Sequence, residues 1–375
     1  MRDRARARQP GPLTRLLATA GAGLLVAACG AFPPKTPTAP AATPSPGGKS
    51  GPAAPAPEPA SPLAVTPEAG PAPLPEIFES DEFIVTFAKA GETAERLAEK
   101  LLGDPTKAWV IEDYNGTASF SPGQEVVIPK RSWNLAAVDP SGYQIVPVLV
   151  YHNIGPEAKG RLVLAAQTFE EQMRYLKAQG YRVVSLSELY DFMSFKRQLP
   201  RRAVVITFDD GYKSFLQYAY PLLKELGFMA TLFVYTDYVG AGRNALSWED
   251  LRRLALEGFD VQAHSKTHGD LRRKPGESDE EYGRRMQLEL GYPQTLFQRY
   301  LGRSARILAY PYGYHDESLM QRAREFGYTA AFTVRREGNP AFVSPFRAHR
   351  SQIHADMSLA DFVKNLTIFS QEPAR

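Results

Sequence analysis

Three short stretches of this chain carry the residue types best suited to catalysis: Asp209-Asp210-Gly211, His264-Ser265-Lys266-Thr267-His268 and Tyr310-Pro311-Tyr312-Gly313. Adjacent carboxylates project in different directions, so one can bind a metal while the other faces a reacting centre. Like charges this close are costly unless a cation lies between them or one is protonated. His264 and His268 are four apart, a spacing that predicts both imidazoles on one side of a helical turn. Two His and one Asp make a three-ligand set for zinc, leaving a fourth position for water. Such a metal lowers the pKa of its water toward ~7 and polarises a carbonyl oxygen. The Asp left over is a natural general base. Aspartyl-phosphatase chemistry is excluded, because it needs Asp-x-Asp and the position two after Asp209 is Gly211.

These stretches need elements to bring them together, and the pattern from residue 145 supplies them. Apolar, β-rich runs at Ile145–Tyr151, Tyr181–Ser185, Ala203–Phe208, Phe228–Val234, Phe259–Ala263, Arg306–Tyr310 and Tyr328–Thr333 predict strands. Between them lie helical patterns: one opening at a Thr168-x-x-Glu171 capping box, then Ser187–Phe192, Tyr212–Leu226, one capped at Ser247, residues 279–301 and Asp316–Phe326. A last helix is expected at 358–369. Strand then helix, repeated about seven times, predicts an α/β fold, a distorted or incomplete (β/α) barrel with a parallel sheet. Sites in such folds form beyond the carboxyl ends of the strands. All three stretches follow predicted strands and would face one opening.

At these residues the body, 143–370, resembles the polysaccharide deacetylase family, the NodB-homology or family 4 carbohydrate esterases. Thr207-Phe208-Asp209-Asp210-Gly211 is similar to its first motif and His264-Ser265-Lys266-Thr267-His268 to its second. The resemblance implies Asp209 as catalytic base and Asp210, His264 and His268 as ligands of a metal, zinc or another divalent transition metal. The implied reaction is hydrolysis of N-acetyl groups on a hexosamine, with the oxyanion held by the metal and a backbone N–H near Tyr312. The third motif departs: the slot where many members carry an arginine holds Ala309, a departure shared by a Tyr-Pro-Tyr-Gly subgroup that includes biofilm poly-N-acetylglucosamine deacetylases. Arg350, with Arg347 as the alternative, is expected to orient Asp209 instead. The family's late Leu-x-His motif has no clean copy, and His354, rather than His349, is taken as general acid. Tyr310, Pro311, Tyr312 and His152 are expected to contact substrate; Trp248 and His315 are read as packing and loop residues.

The N-terminal third says where this chemistry would be used. The run Leu16–Ala28 is apolar, follows five arginines and ends at Cys29, the single cysteine of 375 residues. It is too short to span a bilayer. It resembles a lipoprotein signal (1–28) whose Cys29 is lipidated after secretion across the inner membrane, anchoring the protein in the bacterial cell envelope. A Pro/Ala-rich stretch (29–78) reads as a disordered tether. Residues 80–131 read as a small βααβ module. Its Gly91-Glu92-Thr93, Asn115-Gly116 and Pro122-Gly123-Gln124-Glu125 resemble a LysM domain, which implies binding to N-acetylglucosamine chains such as peptidoglycan. The net charge is +3 and the first 28 residues account for it, which leaves a near-neutral body and disfavours nucleic-acid binding. The expectation is a metal-dependent N-deacetylase of peptidoglycan or poly-N-acetylglucosamine. The alternative is a glycan-binding envelope lipoprotein with an impaired deacetylase domain.

Overall fold

Side chains alternate across a strand, and the strand Ala203–Asp210 uses this to build two layers. Val204, Ile206 and Phe208 pack outward under the helices, while Ala203 and Val205 enter a separate inner cluster with Phe233, Ile307, Ala309 and Phe332. The same period carries Thr207 and Asp209 to the inner face. All eight residues of the strand are buried, as expected for a strand covered on both faces.

This strand sits near the middle of a parallel sheet. The order is Ala330–Phe332, Ile307–Ala309, Asp260–Ala263, Thr231–Val234, Ala203–Asp210, Val148–Tyr151 and Ser351–Gln352, with Arg182–Val183 paired beside the start of Ala203–Asp210. A parallel bridge from Phe332 to Ala348 joins the two edges and curls the sheet into a distorted barrel. The predicted α/β barrel is therefore the observed one. The computed structural model describes residues 76–372. The expected signal peptide, Cys29 and all of the expected tether but residues 76–78 lie outside the described residues.

Several local expectations need correction. The helix expected to open at Thr168 starts two residues earlier, at Ala166, and has no side-chain cap. Burial of Phe169, Met173 and Leu176 against the barrel holds it instead, each such side chain contributing ~1.5–3 kcal/mol. The terminal helix is only Leu359–Val363; the chain then forms a strand, Phe369–Ser370, against Gly142–Gln144. The helix expected at 279–301 carries a π-turn at Gln287–Gly291, and Tyr212–Leu226 carries another at Phe215–Ala219.

The N-terminal module has three antiparallel strands rather than two, Ile77–Glu79, Phe83–Phe87 and Glu125–Pro129, with helices Ala94–Leu102 and Ala108–Asn115. Its first strand begins within the last residues of the stretch read as tether. Asn115 explains one sequence signature: its Nδ2 donates to Ile111 and Val127 carbonyls and its Oδ1 accepts from Val127 N at 3.0 Å, clamping helix to strand. The module is docked on the body through its second helix. Arg182 pairs with Glu112 at 3.0 Å, the Arg201 N–H donates to Asp113, and Gln198 accepts from Trp133 and Asn134. These contacts lie where Ala203–Asp210 begins, roughly 20 Å along that strand from Asp209.

Candidate active site and metal centre

The inner face of the barrel presents Asp209, and a buried arginine meets it there. Arg350 Nη1 and Nη2 donate to Asp209 Oδ1 and Oδ2 at 2.7 and 2.9 Å. Arg350 is 0% exposed; its Nε donates to the Thr333 carbonyl, and its guanidinium lies 5.0 Å from the Phe233 ring centroid. It stands on the segment from Ala348 to Ser351 that closes the barrel, so closure is what carries its guanidinium inward. Burial alone would raise the Asp209 pKa, but Arg350 and the neighbouring His264 and His152 outweigh it and hold it at about 2.

Asp210 ends the strand with φ 74° and turns toward the mouth. Gly211 follows at φ 86°, where an added Cβ would press on Val234 at 3.1 Å. The ligand atoms of Asp210, His264 and His268 lie within 4.8 Å of one another. His264 Nδ1 donates to the Ala309 carbonyl at 2.8 Å, which fixes its tautomer and leaves the Nε2 lone pair facing the carboxylates. Asp210 Oδ1 is buried with no hydrogen-bond partner, 3.4 Å from His268 Nε2 and 3.8 Å from His264 Nε2. Acceptors facing one another without a proton between them fit a cation. Burial pushes the pKa of His264 down to about 4 and lowers that of His268, so both are neutral donors at neutral pH. Burial, opposed by His152 and reinforced by Asp209, raises Asp210 to about 6. These residues fit a divalent metal, and the three-residue set is the one the sequence predicts. The histidines do not share a helical turn: they flank a bend in which Ser265 and His268 take positive φ of 71° and 62°.

A residue the sequence reading missed holds that bend. Glu289, buried on the π-turn, accepts from the N–H groups of Lys266 and Thr267 and from the Thr267 hydroxyl at 2.7 Å. A π-turn in a helix is a recurrent mark of functional sites, but a helical periodicity read from sequence does not reveal it. Among the described residues, four of the six non-glycine positive-φ residues, Asp210, Ser265, His268 and Tyr312, belong to this one region.

The other expected site residues separate into two groups. His152 belongs with the cluster: it lies close enough to lower the pKa of both Asp209 and Asp210, and its Nδ1 is buried without a partner. Tyr312 is 54% exposed, with its ring centroid 4.8 Å from that of His268; Pro311 is buried beneath it. Gly313 at φ 73° has no room for a Cβ, which would lie 2.7 Å from Val334 N. Tyr310 is corrected: alternation after Ile307–Ala309 turns it outward, where it is fully buried and its hydroxyl donates to the Phe346 carbonyl. It cannot reach a sugar. His354 is also corrected. Arg161 donates to its Nδ1 at 2.8 Å, and burial with the Arg161 and Arg336 charges lowers its pKa. Its remaining partner is Gln352, so it is held neutral and has no hydrogen bond to the cluster. Arg347 pairs with Glu317 and His349 with Gly338 and Glu337, none of them in the cluster. His315 lies in a loop, as expected, and stacks on Tyr310, while Trp248 packs on Phe297 and Tyr300, as expected for a packing residue.

A parallel barrel whose strand ends carry a carboxylate pair and an Asp/His/His set defines a metal-dependent hydrolase. Residues 196–331 match the model of the polysaccharide deacetylase family. The chain is 27% identical over 217 residues to YxkH of Bacillus subtilis, which carries a polysaccharide deacetylase name, covering 58% of this chain and 74% of that protein. It is 24% identical over 214 residues to the poly-β-1,6-N-acetyl-D-glucosamine N-deacetylase of Staphylococcus epidermidis, covering 55% of this chain and 73% of the relative. The solved structure of IcaB from Ammonifex degensii superposes with a TM-score of 0.53 at 26% identity, over 60% of this chain and 98% of that one. Over residues 196–331 the chain is thus similar to polysaccharide deacetylase domains.

Proposed function

We propose that the protein is a zinc-dependent hydrolase that removes N-acetyl groups from N-acetylglucosamine units of an envelope polysaccharide, releasing acetate. The observation that carries this reading is an Asp209 kept ionised by Arg350 beside the Asp210, His264 and His268 donor set. When bound there, the metal supplies Lewis-acid polarisation of the amide carbonyl and lowers the pKa of a water. Asp209 Oδ2, 3.8 Å from His264 Nε2, accepts the proton released as a water oxygen adds to the carbonyl carbon. The C–N bond then breaks and the amide nitrogen takes a proton, leaving a free amine and acetate. What supports His152 as the donor of that proton, rather than His354, is its place beside both carboxylates and its unpartnered Nδ1. The backbone N–H of Tyr312 is the candidate oxyanion donor and its ring the candidate sugar platform.

The lipid anchor at Cys29 and the LysM-like module complete the proposal: an envelope enzyme with a glycan-binding domain beside its barrel. Two substrates compete. The module's likeness favours peptidoglycan, while Tyr310-Pro311-Tyr312-Gly313 and relatives named for poly-β-1,6-N-acetylglucosamine favour that polymer. Incubation with each glycan should release one acetate for each primary amine formed, both measured in the same sample. Acetate without amine would point to an ester substrate, and neither product from either glycan would overturn the reading.

A further inference from the structure

A groove of about 860 Å³ has Tyr312 in its wall. None of Asp209, Asp210, His264 or His268 lines it; Tyr312 is where the two meet. Its volume is near the top of the ~300–1,000 Å³ range of small-molecule sites, more than one sugar beside the cluster would need. Exposed rings line it: Tyr312 at 54%, Tyr314 at 49% and Phe342 at 40%. Soluble proteins seldom leave several large rings exposed along one groove without a partner. In the same wall, Phe342 meets Tyr143 edge to face, with centroids 5.0 Å apart. Tyr143 belongs to the strand Gly142–Gln144, which the C-terminal strand Phe369–Ser370 pins in place. Gly142 lies so close to that strand that a Cβ would sit 2.2 Å from the Ser370 carbonyl oxygen. Arg336 and Asn365, bonded to each other, add polar groups to the same wall. Asn365 spends its own amide N–H groups on the Asp361 and Phe362 carbonyls and holds Arg336 in place. Aromatic faces with that guanidinium beside them match the two sides of an N-acetylhexosamine, an apolar ring face and a rim of hydroxyl and acetamido groups.

We infer that this groove is a distal glycan subsite, in which the Tyr143–Phe342 pair takes the face of an N-acetylhexosamine ring several units along the chain from the one being deacetylated. The inference rests on the deacetylase reading and makes the enzyme one that prefers long chains. The variants are Phe342→Ala and Tyr143→Ala, with Phe342→Leu keeping apolar volume without a ring face. Kinetics are compared on N-acetylglucosamine disaccharide and hexasaccharide. Loss of one aromatic contact should raise KM for the hexasaccharide roughly 2- to 10-fold, with kcat unchanged and the disaccharide constants unchanged. Equal KM for wild type and all three variants on the hexasaccharide, or equal losses on both lengths, would overturn the subsite. Calorimetric binding of the hexasaccharide to metal-free protein is read in parallel. Binding weakened by Phe342→Leu supports the subsite even if no acetate is released from any oligomer, an outcome that would count against the deacetylase reading alone.

Discussion

Arg350 grips both oxygens of Asp209, at 2.7 and 2.9 Å, from the segment that closes the barrel, where the sequence offers Ala309 in the slot that often carries such an arginine. The Ala309 position is still used: its carbonyl fixes His264. The structure thus divides between two strands what one arginine-bearing motif would supply. Removing one partner of a buried ion pair leaves an uncompensated charge and costs about 3–5 kcal/mol. Arg350→Ala should therefore lower thermal stability clearly at pH 7 and raise the Asp209 pKa. Arg350→Lys should recover only part of either, since an ammonium cannot reproduce the two-pronged contact. Thermal melts of the three proteins check this; a full recovery by lysine would contradict the geometry.

Asp210 works against the metal-free fold. Its pKa rises from the ordinary 3.8 to about 6, so its contribution to stability is complete below about 3.8 and is lost as pH rises through about 6. Metal-free Asp210→Asn should consequently melt higher than metal-free wild type at pH 7, and the difference should vanish near pH 4. The same variant should bind zinc far more weakly. Calorimetry at the two pH values, with zinc content measured beside it, tests both signs.

Glu289 acts through the loop it holds. Glu289→Gln keeps one acceptor oxygen but loses the charge that gathers two N–H groups and a hydroxyl. Outer partners of metal ligands typically matter 10- to 100-fold in affinity or activity, so zinc affinity should fall by about that much while the melting curve of the metal-free protein changes little. An unchanged zinc affinity would make Glu289 a packing residue only.

The two histidine candidates for proton donor separate cleanly. His152→Asn should lose about 10²–10⁴ in kcat, the usual range for acid–base catalysis, with zinc still bound. His354→Asn should stay within a few-fold of wild type, because Arg161 already holds that ring neutral. The reverse pattern in single-turnover kinetics would return the role to His354.

How far the sequence went can be read from these same residues. Asp209, Asp210, His264 and His268 were legible because each sits at or just after a strand end, and strand periodicity is local. Arg350 was found as a candidate but not separable from Arg347, since only barrel closure decides which arginine turns inward. Tyr310 was misread because a motif gives neighbours and not faces; one more step of alternation after Ala309 puts it under the helices. Glu289 was invisible, being set by a π-turn that the helical pattern conceals. His354 lies in a segment without periodicity, so its partners Arg161 and Gln352 could not be anticipated.

The most direct measurement is zinc content and acetate release determined together for wild type, Asp209→Asn and Asp210→Ala. Peptidoglycan and β-1,6-linked N-acetylglucosamine oligomers serve as parallel substrates. Wild type should carry one zinc and release acetate from at least one of the two. Asp209→Asn should keep the zinc and lose rate by about 10²–10⁴, and Asp210→Ala should lose both. Wild-type zinc in Asp210→Ala, or a wild-type rate in Asp209→Asn, would contradict the roles assigned to the two carboxylates.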